Sequence, residues 1–108
     1  MQQNLFSNKS NLYKRFIEFH KENPVIYTMF CKFTFIAIQS GFKKFGSQMI
    51  IEKIRWETGV VARKSSFKIS NDFAAFYSRL FMIQYPKYAE YFRIRGSYAD
   101  ELNPNDLN

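Results

Sequence analysis

The sequence predicts an all-α protein of about five helices around a long central helix, residues 24–45. Apolar residues recur every three or four positions along most of the chain, which is the spacing of one helix face. Glycine and proline, at Gly46, Gly59 and Pro86 among others, separate these periodic stretches. The short apolar runs that indicate strands are confined to residues 60–69.

The central helix is predicted from the stretch PVIYTMFCKFTFIAIQSGFKKFG, which holds most of the apolar density of the chain. Projected at 3.6 residues per turn, this stretch has apolar faces on two nearly opposite sides. The first face contains Ile26, Met29, Phe30, Phe33, Ile36 and Ala37, and the second contains Tyr27, Cys31, Phe35, Ile38, Phe42 and Phe45. A helix that is apolar on two sides is expected at the centre of its domain.

Four further helices complete the predicted fold. Their predicted bounds are 10 or 11 to 23, 47 to about 58, 71 or 72 to about 84, and 87 to about 92. The first should stop at Asn23, because a residue before proline is pushed out of the α region, and Pro24 suits the first turn of the next helix. Residues 60–69 are expected to form a short β-hairpin with a basic tip, as in a winged helix, or an irregular loop.

The charge is unevenly distributed along the 108 residues. The formal net charge is +7, and the last 13 residues contain Asp100, Glu101 and Asp106 but no Lys or Arg. The sequence therefore predicts one basic helical domain over 1–95, frayed at its start, and an acidic mobile tail over 96–108. A basic body attracts nucleic acid, acidic membrane surfaces or acidic proteins. Lysines that serve only solubility are the alternative.

Aromatic residues are unusually frequent, with 13 Phe and 7 Tyr. We expect more bulky rings than the interior of so small a domain can hold. Some rings should then lie at a partner surface or between the subunits of a homodimer. A compositional bias toward phenylalanine without functional meaning is the alternative.

Catalytic machinery is not evident in the sequence. The single histidine, His20, and the single cysteine, Cys31, lie on different predicted helices and are expected to serve packing. No cluster has the ligand spacing of a metal site, and no glycine-rich phosphate loop is present. We therefore predict that the protein is not an enzyme and has no catalytic residue, cofactor or metal.

A cytoplasmic location is expected. One cysteine excludes an internal disulfide, and the polar start MQQNLFSNKSN lacks the apolar core of a signal peptide. The run 25–42 is long enough to suggest a membrane span. However, Lys32 near its centre costs about 2.5–3.5 kcal/mol on insertion scales, so we predict no membrane insertion.

The first candidate site is the exposed side of the third helix and the segment after it. Trp56 lies opposite the main apolar face, where it is either covered by another element or available for base stacking or as an anchor for a partner. In a winged helix-turn-helix this helix enters a groove and the basic wing grips phosphates, although Glu52 and Glu57 would repel them. The predicted contact residues are Lys53, Arg55, Trp56, Arg63, Lys64 and Lys68.

The second candidate site lies near the end of the basic body. Rings and cations alternate there as they do on surfaces that bind single-stranded nucleic acid: Lys87, Tyr88, Tyr91, Arg93 and Arg95. Arg93 and Arg95 are added to the predicted contact residues. A solvated end of an amphipathic helix is the alternative.

Five stretches are informative in combination: FHKENP at 19–24, IRWE at 54–57, FKISND at 67–72, YSRL at 77–80, and Pro86 followed by FRIR at 92–95. Together they resemble a widespread family of small, uncharacterised phage and prophage proteins, over roughly residues 13–95. That family usually has Asn where Ser70 stands here. The resemblance implies a bacterial host cell as context, and it transfers no site residue with a role.

The function predicted from these observations is non-catalytic binding of nucleic acid or of a nucleoprotein. The resemblance adds an alternative, an inhibitor of a host defence system that binds an RNA-guided nuclease, as anti-CRISPR proteins do. A homo-oligomeric structural or assembly protein is the other alternative. Salt separates the first two, because phosphate contacts weaken steeply as salt rises.

Overall fold

The computed structural model describes the backbone of residues 2–63, 68–93 and 98–107 and the side chains of 11–63, 68–93 and 99–107. The α-helices in these ranges are α1 (Gln2–Glu22), α2 (Pro24–Gln39), α3 (Ser47–Trp56) and α4 (Ala74–Gln84). A π-helical turn (Glu57–Val61) continues α3, and 3-10 segments cover Asn71–Phe73, Pro86–Tyr91, Tyr98–Glu101 and Pro104–Leu107. The described residues contain no β-strand, so the all-α prediction is confirmed.

Helix α1 begins earlier than predicted and ends where predicted. The caps expected at Ser10 or Asn11 lie inside the helix, which starts at Gln2. Adding a polar residue to an existing helix costs only a few tenths of a kcal/mol, so the packed part of α1 supports an extension. At the other end, the backbone N–H of Asn23 donates to the Phe19 carbonyl (2.9 Å), and Pro24 opens α2 as expected.

Helix α2 ends at Gln39 instead of at Phe45, which corrects the predicted central helix. Gly41 has φ of +99°, a left-handed conformation that terminates helices and that favours glycine. Phe45 then turns back into the core and forms an isolated parallel β-bridge with Phe92. Its N–H donates to the Tyr91 carbonyl and its carbonyl accepts from the Arg93 N–H, both at 2.9 Å.

The two apolar faces of α2 are covered unequally. On the first, Ile26, Phe30, Phe33 and Ala37 are buried, whereas Ile36 is exposed. On the second, four residues are half-buried against the core: Tyr27, Cys31, Phe35 and Ile38. Other elements therefore cover α2 on both sides, although each face keeps some residues that are partly or largely exposed to solvent.

Most of the phenylalanine rings that the structure describes are packed in the core or against it, more than the sequence led us to expect. Among the phenylalanine side chains that the structure describes, only Phe42 is exposed. Phe16 is fully buried and stacks on Phe76 at 4.8 Å between ring centroids, and it meets the edge of Tyr77 at 5.0 Å. Stacked and edge-on rings pack densely, so a small domain holds more of them than a volume argument suggests.

The C-terminal segment packs against the body, unlike the mobile tail that was expected. Ala99 and Leu102 are buried in the common core, at 1% and 7% exposure. The nearly buried Arg79 donates from Nε to Oδ1 of Asp100 at 2.6 Å. Tyr13 of α1 donates to Oδ2 of Asp106 (2.7 Å) and accepts from the Asn103 N–H (2.8 Å). Two buried apolar residues and these three hydrogen bonds thus hold the acidic segment against the basic body.

The β-hairpin predicted over residues 60–69 is not found in the part of this segment that the structure describes, residues 60–63 and 68–69. Val60 and Val61 belong to the π-helical turn, closed by the Ala62 N–H donating to the Glu57 carbonyl at 2.9 Å. The continuation of α3 satisfies these backbone groups locally, so no partner strand is needed there. Residues 64–67, which would form the hairpin tip, lie outside the described residues.

Candidate functional site

Arg55 is predicted as a contact residue but is engaged within the fold. Its guanidinium donates to the Ile69 carbonyl, to Oδ1 of Asn71 at 2.8 Å and to the carboxylate of Glu52. The Gln48 amide also donates to Oδ1 of Asn71, at 3.0 Å. Arg55 therefore fastens α3 to the segment that precedes α4, and its charge is balanced by a neighbour on its own helix.

Lys53 is also paired on α3. Its Nζ lies 2.6 Å from Oε1 of Glu57, one turn further along the chain, and 5.7 Å from the ring centroid of Phe33. The two acidic residues that the sequence suggested would repel phosphate thus have a definite role. Glu52 and Glu57 pair with the two cations of α3. The exposed Lys32, whose Nζ also lies 5.7 Å from the Phe33 ring, forms no ion pair with a residue that the structure describes.

Trp56 is exposed, so the alternative in which another element covers it does not hold. Its exposed fraction is 56%, and the neighbouring apolar side chains Met49, Val60 and Val61 are exposed by 38%, 53% and 60%. Met49, Lys53 and Trp56 lie at helical spacing, and the π-helical turn continues their line. We call this surface, formed by Met49, Lys53, Trp56, Val60 and Val61, the Trp56 face.

The cations of the predicted wing are available to solvent where the structure describes them. Arg63 and Lys68 are exposed, and neither forms an ion pair with another described residue. Arg63 has φ of +54°, which is uncommon for a residue with a Cβ. Lys64 lies outside the described residues, as does Arg95 of the second cluster.

A second surface is assembled by the bridge between Phe45 and Phe92. The bridge brings the loop that follows α2 beside the 3-10 segment Pro86–Tyr91 and Arg93. We call this the bridge surface, and its members are Phe42, Lys43, Lys44, Lys87, Tyr88, Tyr91 and Arg93. Phe42 is an exposed ring at 52%, directly followed by two exposed lysines.

The pairing geometry orients the centre of this surface. Side chains alternate between the two sides of an extended segment, and in a parallel bridge the paired residues point the same way. Phe45 and Phe92 are buried, so their neighbours Lys44 and Arg93 lie on the outer side, in agreement with their exposure. Tyr91, the last residue of the 3-10 segment, is half-buried.

The tyrosines of this surface are linked to one another and to the core. The rings of Tyr88 and Tyr91 are 6.3 Å apart, and Nζ of Lys87 lies 6.0 Å from the Tyr88 ring. Tyr88 meets Phe35 of α2 edge-on at 5.3 Å, so it is held by the core. On surfaces that bind single-stranded nucleic acid, exposed cations contact the phosphates and aromatic rings stack on the bases.

The bridge surface differs electrostatically from the Trp56 face. Lys43, Lys44, Lys87 and Arg93 form no ion pair with any residue that the structure describes, whereas Lys53 and Arg55 are both paired. Glu90 is the acidic residue of the 3-10 segment, so four cations on this surface oppose one carboxylate. The excess of cations over carboxylates is therefore larger at the bridge surface.

Sequence reasoning missed Phe42, Lys43 and Lys44 as candidate contacts. The predicted central helix, residues 24–45, included all three, because Phe42 and Phe45 continue its second apolar face. The usable signal was Ser40-Gly41, a common helix stop, because glycine readily adopts the left-handed conformation that follows a last turn. The pairing with the 3-10 segment depends on a contact 47 residues away and has no local signal.

Neither His20 nor Cys31 belongs to either surface. Burial lowers the pKa of His20, and it raises the pKa of the Cys31 thiol, which opposes formation of the reactive thiolate. Within residues 2–63, 68–93 and 98–107, no group of three or more His, Cys, Asp or Glu residues is placed to hold a metal ion.

The helices of the described ranges include none with both the length and the apolar character that a bilayer crossing requires. Comparison of the chain with protein-family models, with curated proteins and with solved structures found no match.

Proposed function

We propose that the protein is a non-catalytic binder of nucleic acid, alone or as part of a nucleoprotein, and that phosphates are contacted mainly at the bridge surface. The observation that carries the proposal is the bridge surface, on which Lys43, Lys44, Lys87 and Arg93 form no ion pair with a described residue and Phe42, Tyr88 and Tyr91 contribute exposed or half-buried rings. Unpaired cations release counterions when they meet phosphates, and exposed rings stack on bases. Single-stranded RNA or DNA is the ligand that suits both groups.

The other predicted contact residues are less central to this proposal than the bridge surface. Lys64 and Arg95 lie outside the described residues and stay predicted contacts. Arg63 and Lys68, which are exposed, are proposed as secondary phosphate contacts. Lys53 and Arg55 are the least available cations, since Lys53 pairs with Glu57 of the π-helical turn and Arg55 with Glu52 of α3. A winged-helix mode, in which α3 enters a groove, would require Arg55 to give up its bonds to Ile69 and Asn71.

The proposal is tested by fluorescence anisotropy with labelled single-stranded RNA and DNA oligonucleotides. The double variant Lys43→Glu, Lys44→Glu is compared with Lys14→Glu, Lys21→Glu, which makes the same change in net charge at exposed positions of α1. We expect the bridge-surface variant to lose at least about tenfold in affinity and the α1 variant to lose far less, because phosphate contacts act locally. Equal losses would show that only net charge matters and would contradict the proposal.

Salt dependence measures how many phosphates are contacted. Four contacts on a single strand predict a slope of about −3 in a plot of log affinity against log salt, a loss of about 50-fold between 50 and 200 mM. The slope should fall by about half in the Lys43→Glu, Lys44→Glu variant. A slope near zero for the unchanged protein would rule out phosphate recognition.

The second candidate function is inhibition of a host defence nuclease through a protein contact. The observation that favours it is the Trp56 face, an exposed apolar strip with a tryptophan at its centre. Tryptophan is among the residues that most often dominate binding energy at protein interfaces. In the proposed phage context, such an inhibitor would act in the cytoplasm of the bacterial host. Capture of a nuclease that survives high salt and nuclease treatment, and is lost with Trp56→Ala, would support it.

A further inference from the structure

We propose that the fold contains a binding site for one water molecule between α1 and α4, where the water bridges Nδ1 of His20 and the hydroxyl of Tyr77. This inference is independent of the nucleic-acid proposal, because neither residue belongs to the bridge surface. It rests on the burial of the two polar atoms, on the side chains that surround them and on the electrostatics of the site.

Both polar atoms are shielded from bulk solvent by the fold. Tyr77 of α4 is fully buried, and His20 of α1 is half-buried with its Nδ1 enclosed. Neither atom has a hydrogen-bond partner among the residues that the structure describes. A buried polar atom without a partner costs free energy, and in native proteins an internal water commonly satisfies such atoms. Both atoms therefore need a partner from outside the chain.

The side chains packed on Tyr77 do not supply that partner. The Phe16 ring meets the Tyr77 ring at a steep angle, 5.0 Å between centroids, and Phe30 stacks on it at 5.6 Å. Both of these side chains are hydrocarbons. Tyr27 also stacks on Tyr77, at 6.3 Å, but its hydroxyl donates to Oε1 of Gln84. Packing thus holds the Tyr77 ring in place, so its hydroxyl cannot move to another acceptor without breaking these contacts.

The distance between the two rings suits a single bridging water. The ring centroids of His20 and Tyr77 are 6.4 Å apart, and their polar atoms do not bond to each other directly. A water bridges two atoms that lie about 4.5–5.5 Å apart, because each of its hydrogen bonds is about 2.8 Å long. Rings at this distance can carry two atoms with that separation. Water both donates and accepts, so it serves either neutral tautomer of His20.

The electrostatics of the site favour a neutral ligand over an ion. Burial lowers the pKa of His20 and raises the pKa of Tyr77, and burial is the cause of both shifts. No nearby charge contributes to either of them, so an ion bound there would lose its hydration without gaining an opposite charge. Water is a neutral ligand that is small enough for the interior and can bond to both atoms.

The bridging water gives α1 a directional contact with α4. The two helices also meet through rings, such as Phe16 and Phe76 at 4.8 Å, but apolar contacts tolerate small rotations of a helix about its axis. Hydrogen bonds from His20 through the water to Tyr77 require one orientation of α1. Buried polar groups that are fully satisfied specify a single packing in this way.

The first experiment is a double-mutant cycle with Tyr77→Phe and His20→Phe, each of which keeps a ring and removes the polar atom. Urea unfolding at about pH 7.5, where His20 is neutral, measures the equilibrium constant for unfolding. We expect Tyr77→Phe to raise this constant about fivefold in the unchanged protein, because the water loses a partner. In the His20→Phe background, where the water has already lost its other partner, the rise should be less than about twofold.

A matched control removes a tyrosine hydroxyl elsewhere. Tyr85→Phe makes the same chemical change at a half-buried residue that packs against Phe35 and Phe81. We expect it to change the unfolding constant by less than about twofold in both backgrounds, as for a hydroxyl that reaches bulk water. Circular dichroism checks that every variant is folded.

A high-resolution crystal structure of the unchanged protein locates the water directly. We expect one ordered water within hydrogen-bond distance of both Nδ1 of His20 and the hydroxyl of Tyr77. A direct bond between these two atoms would overturn the proposal, as would a site without an ordered water. Two outcomes of the cycle would also overturn it: a Tyr77→Phe variant more stable than the unchanged protein, which would mean that the hydroxyl has no partner, and equal effects in both backgrounds, which would mean that the two atoms are satisfied separately.

Discussion

At the residue scale, the most unusual position is His20, which lies in a cage of rings. Its ring is stacked on Phe16 at 6.0 Å and meets Tyr27 and Tyr77 edge-on at 5.8 and 6.4 Å. Its Nδ1 and the Tyr77 hydroxyl are buried without a hydrogen-bond partner among the described residues. Burial disfavours the charged form of each group, which lowers the pKa of His20 and raises that of Tyr77.

The lowered pKa of His20 predicts that acid destabilises the fold. The folded protein keeps His20 neutral below its ordinary pKa of 6.5, whereas the unfolded chain takes up the proton there, so the free energy of unfolding falls as pH falls through that value. Urea unfolding of the unchanged protein should therefore show lower stability at about pH 5.5, where carboxylates remain ionised, than at about pH 7.5. His20→Phe, which keeps the ring contacts and cannot titrate, should lose most of this dependence. An equal dependence in His20→Phe would assign the effect to other groups.

At the scale of elements, the sequence predicts starts and stops best where proline or glycine fixes the backbone. Asn23-Pro24 ends α1 and opens α2 as expected, because proline constrains both residues. The end of α2 was placed too late, since Phe42 and Phe45 continue the apolar spacing of the helix beyond Gly41. The π-helical turn had no signal either, as its residues, ETGVV, combine a glycine stop with a β-branched run typical of strands.

Gly41 is the element boundary on which the bridge surface depends, and Gly41→Ala tests it. With φ of +99°, an alanine there is strained although its Cβ would meet no atom within 4 Å. We expect the free energy of unfolding to fall by about 1–2 kcal/mol, the cost of a left-handed conformation for a residue with a Cβ. Gly46→Ser is the control, because Gly46 has φ of −94° at the N-cap of α3, where serine is favourable. Similar losses in both variants would argue against a special role for the φ of Gly41.

At the scale of the whole molecule, composition and periodicity predict the helical class and the excess of positive charge. They do not predict on which surfaces the positive charges lie in the folded protein. Lys53 and Arg55 are held in ion pairs with Glu57 and Glu52, whereas the bridge between Phe45 and Phe92 lies among cations that form no ion pair with a described residue. These outcomes depend on contacts between distant parts of the chain. Local spacing does not encode them, so sequence reasoning assigned the cations of α3 and its wing to one binding surface.

The sequence and the structure lead to opposite expectations for the acidic C-terminal segment. The substitution Leu102→Ala distinguishes them. A mobile tail predicts that Leu102→Ala leaves stability unchanged. The packed segment, in which Leu102 is 7% exposed in the common core, predicts a loss of about 2–5 kcal/mol, since truncating a buried leucine removes apolar contacts and leaves a cavity. Asn105→Ala, at an exposed position three residues further on, is the control and should change stability by less than about 0.5 kcal/mol. Chemical unfolding monitored by circular dichroism measures both. A Leu102→Ala variant as stable as the control would return the segment to a mobile tail, whereas the predicted loss would make residues 98–107 part of the folded domain.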